Sequence, residues 1–247
     1  MEKNLISRLG LGTVKFGRNR GVKYPGGEGF ALPSDADISS LLDLCLDLGI
    51  TLLDTAPAYG SAEERLGGIL GARREKFFLM TKTGEEFSDG KSTHNFTAAH
   101  TIFSVERSLK RLKTDCLDCA LVHSSPDDIN ILKNTDALET LVRLKEAGKI
   151  RMVGVSTYTV EGGIYAAEKT DAVMVAYNNG YTAEKEVIDR ARLAGKAVFV
   201  KKGLGSGHTD DPARDIRFVL ETPGVSSLII GSINPRHIRE NAAGLRA

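Results

Sequence analysis

Four residues that could together perform acid–base chemistry stand at or just after the ends of three short apolar runs. They are Asp54, Tyr59, Lys82 and His123. A buried lysine needs a counter-charge, and an aspartate on a neighbouring strand can supply it. A tyrosine beside that ammonium group has its phenolate form favoured, so its pKa should fall towards that of a usable general acid. A histidine aimed at the same point adds a hydrogen-bond donor.

Taken singly, each of the four has an ordinary structural explanation. An aspartate at a strand end often caps a turn, a lysine there is often solvated, and a lone histidine is often structural. Their conjunction favours a site that polarises and protonates a carbonyl oxygen. That chemistry also needs a source of hydride, which points to a nicotinamide cofactor.

The elements that must position these residues can be predicted from the hydrophobic pattern. Eight near-continuous apolar runs are typical of buried parallel strands. They span residues 8–13, 50–54, 77–81, 117–123, 151–156, 172–177, 197–201 and 226–231. Helical periodicity is clearest at 34–48, where Ser34 and Asp37 form a capping pair, and at 98–112. Weaker helical patterns occupy 61–70, 136–147, 160–168, 181–194, 213–221 and 235–245, and the glycine-rich segment 14–33 is predicted to be a loop.

Eight strands, each followed by a helix, predict a (β/α)8 barrel that forms one domain over residues 1–247. The alternative is an open doubly wound sheet, which usually has about five or six strands. In a barrel the catalytic groups lie at the carboxyl ends of the strands, where the four residues above are found.

Motifs along almost the whole chain resemble the aldo-keto reductases. They are LGLGT (9–13), LDTAPAYG (53–60), TKTG (81–84), LVHSS (121–125), VGVST (153–157) and IIGSINPRHIREN (229–241). The resemblance implies an NAD(P)H-dependent oxidoreductase on a (β/α)8 barrel. It implies that Tyr59 donates the proton, that Lys82 lowers the pKa of Tyr59, that Asp54 holds Lys82, and that His123 orients the substrate carbonyl.

The same resemblance implies a set of residues that bind the cofactor, in addition to Asp54. Ser156 matches the serine that holds the carboxamide, and Gly231 and Ser232 match the pyrophosphate and ribose contacts. At the adenine end the corresponding positions are Arg236, His237, Glu240 and Asn241, with Arg239 close by. Gly12 and Thr13 belong to the first motif, and Gly203, Leu204 and Gly205 follow the seventh strand, where a phosphate contact is expected.

Three positions depart from the family pattern around the nicotinamide. Thr157 replaces the usual asparagine, Met174 falls near the expected glutamine, and Lys201 replaces the aromatic residue that usually lies under the nicotinamide ring. The basic cluster at the start of the last helix predicts a preference for NADP(H), with NAD(H) as the alternative. Because no aromatic residue lies under the nicotinamide, only moderate affinity for the cofactor is expected.

Composition narrows the class of protein. The 247 residues carry 33 basic and 32 acidic side chains, a balance that argues against a nucleic-acid partner. No apolar run approaches the length of a membrane span, and no secretory signal is visible, so a cytoplasmic protein is expected. Cys116 and Cys119 have metal-like spacing without further ligands, so no metal site is expected. No feature predicts an oligomeric state.

Two other functions remain open from the residues alone. One is a nucleotide-binding sensor or subunit with little turnover, which the intact set of four residues disfavours. The other is an aldolase that uses Lys82 as a Schiff-base amine, which is disfavoured because a salt bridge would keep that amine charged. The expected substrate is a small aldehyde, ketone or sugar carbonyl, or the corresponding alcohol.

Overall fold

Parallel strands and helices alternate along residues 6–22, 27 and 29–244, the part of the chain that the computed structural model describes. The two ends of the predicted domain, residues 1–5 and 245–247, lie outside this part. So do residues 23–26 and 28 of the predicted loop 14–33, and the last residue of the helix predicted at 235–245.

The described residues contain ten strands. They are β1 (Leu9–Gly12), β2 (Leu52–Asp54), β3 (Phe78–Thr83), β4 (Glu85–Ser88), β5 (Lys91–His94), β6 (Leu117–His123), β7 (Ile150–Ser156), β8 (Ala172–Ala176), β9 (Ala197–Lys201) and β10 (Ser227–Ile230). Eight of them pair in parallel in the order β1-β10-β9-β8-β7-β6-β3-β2 and close into a barrel. The predicted (β/α)8 fold is therefore confirmed, and the open sheet is excluded.

Ten α-helices lie within the same residues. They are α1 (Val14–Gly17), α2 (Asp35–Asp47), α3 (Ala62–Leu70), α4 (Ala98–Leu112), α5 (Asp128–Asn134), α6 (Ala137–Glu146), α7 (Val160–Lys169), α8 (Lys185–Leu193), α9 (Pro212–Glu221) and α10 (Pro235–Ala243). The capping box of Ser34 and Asp37 at the start of α2 is present as predicted. None of the helices in these described ranges is long and apolar enough to cross a membrane.

Three segments differ from the sequence prediction, and one of them is the short helix α5, which was not predicted. Residues 14–17, predicted as part of a loop, form the single helical turn α1, because Phe16 is fully buried and Arg18 N donates to Val14 O. Residues 85–94, for which no strand or helix was predicted, form a hairpin of β4 and β5. Phe87 is the one large apolar side chain among these ten residues, so the hairpin has no apolar period by which it could be recognised.

Alternation along the strands divides the core in two. One cluster consists of strand residues such as Leu52, Met80, Leu121 and Phe199, and it fills the inside of the barrel. The intervening residues, such as Leu53 and Leu79, pack outwards against the helices. A residue two positions beyond an interior side chain therefore also faces the inside, at the carboxyl end of its strand.

Candidate active site

At the carboxyl end of the barrel, the interior side chains are polar instead of apolar. Asp54 follows Leu52 by two positions, Lys82 follows Met80, and His123 follows Leu121. Ser156 and Lys201 continue the interior rows of β7 and β9 in the same way. Strand alternation alone thus brings three of the four predicted catalytic residues to one end of the barrel interior.

Lys82 is the centre of this arrangement and is almost completely buried. Its ammonium group forms a salt bridge with Asp54, and the two side chains are only 1% and 5% exposed. Lys82 Nζ also lies 3.0 Å from the Tyr59 hydroxyl and donates to Thr55 O at 3.0 Å. The lysine therefore keeps a buried counter-charge and a phenol within hydrogen-bond distance.

Tyr59 reaches this position through a short 3₁₀ helix, Pro57–Tyr59, which begins at a proline three residues after the end of β2. Gly60 then turns the chain into α3 with a φ of 63°. A Cβ atom at Gly60 would lie 2.2 Å from Gly17 O, and one at Gly17 would lie 2.5 Å from Tyr59 O. Two glycines in close contact therefore fix the backbone on which the tyrosine sits.

His123 contacts a residue that the sequence did not single out. Its Nδ1 lies 2.8 Å from Glu85 Oε2, and both side chains are mostly buried. Burial alone would raise the pKa of Glu85, but the contact with His123 outweighs it and the pKa falls to about 2. Burial lowers the pKa of His123, although Glu85 opposes this. The His123 and Tyr59 rings meet edge to face with centroids 6.4 Å apart.

Lys201 also faces the barrel interior, and its charge is held by neighbouring polar groups. Its Nζ donates to Ser156 Oγ at 2.9 Å and to Thr157 O at 2.7 Å, and lies 4.9 Å from the centroid of the Tyr158 ring. Burial lowers the pKa of Lys201 to about 8, although the carboxyl group of Glu184 acts in the opposite direction. The residues on either side of Lys201 in the sequence, Val200 and Lys202, are not aromatic. Matching the family pattern one position earlier or later would therefore not place an aromatic side chain under the nicotinamide.

A cavity of about 960 Å³ opens at this end of the barrel, at the upper end of the roughly 300–1,000 Å³ typical of ligand sites. The predicted residues that line it are Gly12, Asp54, Tyr59, His123, Lys201, Gly203, Leu204, Gly231, Ser232, His237, Glu240 and Asn241. Lining residues that the sequence did not indicate include Lys15, Arg18 and Tyr158. The cavity thus joins the Lys82 site to the start of α10.

The remaining predicted residues lie outside the lining. Asp54 and Tyr59 separate Lys82 from the cavity. Thr13 is buried, and its hydroxyl donates a hydrogen bond to Asp54 O at 3.0 Å. Ser156 is buried against Lys201, and Arg236 is largely exposed and pairs with Glu240 at 2.7 Å. Gly205 belongs to the 3₁₀ turn Gly205–Gly207, whose other two residues do line the cavity.

Comparison with known proteins places the chain in a family. The model of the aldo/keto reductase family matches residues 8–215, so the chain belongs to this family, as the motifs indicated. The aldo-keto reductase YhdN of Bacillus subtilis (strain 168) is 37% identical over 160 residues, which are 63% of this chain and 44% of that protein.

Two further relatives extend the comparison. The 6-dehydroglucose reductase of Agrobacterium fabrum is 35% identical over 136 residues, 51% of this chain and 45% of that protein. The matched segments thus span less than half of both curated relatives. Among solved structures, the PA4992 protein of Pseudomonas aeruginosa, described as an aldo-keto reductase, is 46% identical. Its TM-score is 0.89, with 97% of this chain and 89% of that chain covered.

Proposed function

We propose that this protein reduces an aldehyde, ketone or sugar carbonyl with NADP(H), or oxidises the corresponding alcohol. The observation that carries the proposal is the position of Lys82 Nζ, which contacts both Asp54 and the Tyr59 hydroxyl beside a cavity large enough for a ligand. A bound nicotinamide would supply the hydride that the carbonyl carbon receives.

Tyr59 gives its hydroxyl proton to the carbonyl oxygen as that oxygen gains negative charge. The Lys82 ammonium group, 3.0 Å away, stabilises the phenolate that remains. Asp54 keeps Lys82 charged in a buried position and so preserves this effect. His123 lines the cavity beside Tyr59 and hydrogen-bonds to the same substrate oxygen.

The chemistry of the cavity wall suits a dinucleotide. Lys201, Lys202 and His237 supply basic groups for phosphates and amides, and Gly231 and Ser232 lead into the start of α10. A helix start favours anions because its first N–H groups and its dipole carry positive charge. We therefore assign the adenine end of the cofactor to the region of His237, Glu240 and Asn241, and the nicotinamide end to the region of Lys201.

A panel of aldehydes, ketones and sugars, followed at the NADPH absorbance band with both cofactors, tests this function. Sugars belong in the panel because one relative is named as a 6-dehydroglucose reductase. We expect reduction of at least one carbonyl class. Tight binding of the dinucleotide with no turnover across the panel would instead favour a sensor or subunit.

We expect NADPH to bind at least about tenfold more tightly than NADH, because one charge-assisted hydrogen bond contributes about 1.5–3 kcal/mol. The groups proposed to read the extra phosphate are Arg236 and His237 at the start of α10. Calorimetric titration should show that His237→Ala and Arg236→Ala weaken NADPH but not NADH. Arg143→Ala is the matched control, since Arg143 forms a similar i,i+4 pair with Glu139 on α6. Equal affinities for the two cofactors in the wild type would contradict this role.

We expect the charge of Lys201 to favour the reduced cofactor over the oxidised one. Because its pKa is lowered to about 8, Lys201 is cationic below that pH and neutral above it. A cation beside the positively charged nicotinamide of NADP+ costs of order 1–2 kcal/mol, about tenfold in affinity. The affinity of NADP+ relative to NADPH should therefore rise as pH increases through 8.

Titration of both cofactors on either side of pH 8 measures this effect. In Lys201→Met the ratio should lose its pH dependence, whereas Lys169→Met, which removes an exposed cation at the end of α7, should keep it. A ratio that changes equally with pH in wild type and Lys201→Met would exclude Lys201 as its cause.

A further inference from the structure

The hairpin of β4 and β5 follows directly after the strand that carries Lys82. It contacts the 3₁₀ helix of Tyr59 and is closed by the two-residue turn Asp89–Gly90, in which both residues have positive φ. Glu85 is its first residue and pairs with His94 at the end next to the barrel. Nothing in the reaction proposed above uses this residue.

Contacts on two sides hold the hairpin in place. Glu86 pairs with Arg107 and lies 3.3 Å from His100, both on α4. The Arg18 guanidinium group stacks 3.5 Å from the centroid of the Phe87 ring. The carboxylate of Glu85 is therefore carried by an anchored segment.

Both oxygens of that carboxylate have partners. Oε1 accepts from Ser92 Oγ at 2.6 Å, and Oε2 lies 2.8 Å from Nδ1 of His123. The two facing side chains are only about one-seventh exposed. A carboxylate beside one ring nitrogen of a histidine fixes a proton on that nitrogen. Nε2 is then left for a ligand in the cavity that His123 lines.

We propose that Glu85 is a positioning residue that keeps a proton on Nδ1 of His123. As a result Nε2 accepts a hydrogen bond from substrate when the ring is neutral, and donates one only when the ring is charged. A carbonyl oxygen, which can only accept, is then bound by the charged ring. The neutral ring presents a lone pair to that oxygen and binds it poorly. This inference rests on the proposed carbonyl chemistry, and it adds that binding of the carbonyl depends on the charge of His123.

The groups around His123 act on its charge in opposite directions. Glu85 from β4 favours the charged ring, whereas Lys82 from β3 and Lys201 from β9 disfavour it, as does burial. Tyr59, from the segment after β2, faces the ring edge to face and is uncharged while it holds its proton. Glu85 is therefore the counter-charge whose removal should shift the titration of His123 most.

Histidine nitrogen NMR tests the assignment without any turnover. Long-range proton–nitrogen correlation distinguishes the two neutral tautomers, and loss of one signal in His123→Asn identifies His123 among the five histidines. We expect the Nδ1-protonated tautomer in the wild type. In Glu85→Gln we expect the titration midpoint of His123 to fall by about 1–3 pH units.

Glu86→Gln is the matched control, because it makes the same change one residue further along and weakens the hairpin anchor without touching His123. It should leave the His123 titration unchanged. The proposal is overturned if the wild type holds the Nε2-protonated tautomer, if Glu85→Gln titrates like the wild type, or if Glu86→Gln shifts the midpoint as far.

Kinetics then test the consequence for substrate. With wild type, the KM for a carbonyl should rise as the pH increases through the His123 midpoint. In Glu85→Gln this change should move to lower pH by the shift that NMR measures. A carbonyl KM that does not follow the NMR midpoint would overturn the dependence of carbonyl binding on the charge of His123. Absence of turnover in every variant would reject the proposed function, while the NMR result would still decide the role of Glu85.

Discussion

Tyr59→Phe should lower the rate of carbonyl reduction by about 10²–10⁴-fold, the usual contribution of a positioned general acid. The phenol hydroxyl is the proton source within hydrogen-bond distance of Lys82, at 3.0 Å. Lys82 keeps its contacts with Asp54 and Thr55 O in this variant, so the fold and cofactor binding should change little. Single-turnover kinetics and calorimetric titration of NADPH measure the two quantities separately.

Tyr181→Phe provides the matched control, since Tyr181 is exposed and does not line the cavity. It should behave as the wild type in both measurements. If Tyr59→Phe kept more than about a tenth of the wild-type rate with chemistry rate-limiting, Tyr59 would not be the proton donor.

Lys82→Met should have an effect of similar size on turnover and a second effect on stability. Without the nearby cation, the acid seen in the pH–rate profile should titrate about 1–3 pH units higher. The change also leaves the buried carboxylate of Asp54 without its partner, which should cost about 3–5 kcal/mol in the free energy of unfolding. Denaturant titration measures the second effect.

The double variant Asp54→Asn/Lys82→Met separates the two effects. It removes the unpaired charge, so much of the lost stability should return, but the rate should stay low because no cation faces Tyr59. Recovery of the rate together with stability would show that Lys82 acts only by supporting the fold. An unchanged pH–rate profile in Lys82→Met would exclude its pairing with Tyr59.

Much of the architecture was determined by the sequence itself. Parallel strands buried on both sides must be apolar almost throughout, so the eight runs could be recognised without knowledge of their partners. Each predicted strand has a counterpart in the barrel, and the helix predicted at 98–112 has the observed bounds of α4. The position of Asp54, Lys82 and His123 at strand ends follows from the same pattern, because alternation continues the interior row.

Contacts between segments distant in the chain could be predicted only where neighbouring strands imply them. The salt bridge of Lys82 with Asp54 joins residues 28 positions apart, and its existence depends on β2 and β3 being neighbours in a parallel register. The sequence predicted that pair because adjacent strands of a barrel usually follow each other in the chain. It could not predict the hydrogen bonds of Lys201 with Ser156 and Thr157, which depend on side-chain conformation at the mouth of the barrel.

The hairpin shows where the sequence alone did not suffice. Glu85 stands in a polar segment with no apolar period, so its residue types gave no sign of strand pairing or of contact with His123. The position of Glu85 depends on two contacts of the hairpin with other parts of the chain. Glu86 pairs with Arg107 of α4, and Phe87 packs against Arg18. The sequence alone therefore determined the barrel and the strand ends that carry the proposed chemistry, because burial imposes a repeating pattern on residue types. Only the tertiary structure decided which carboxylate faces His123, because a single contact between distant segments leaves no such pattern.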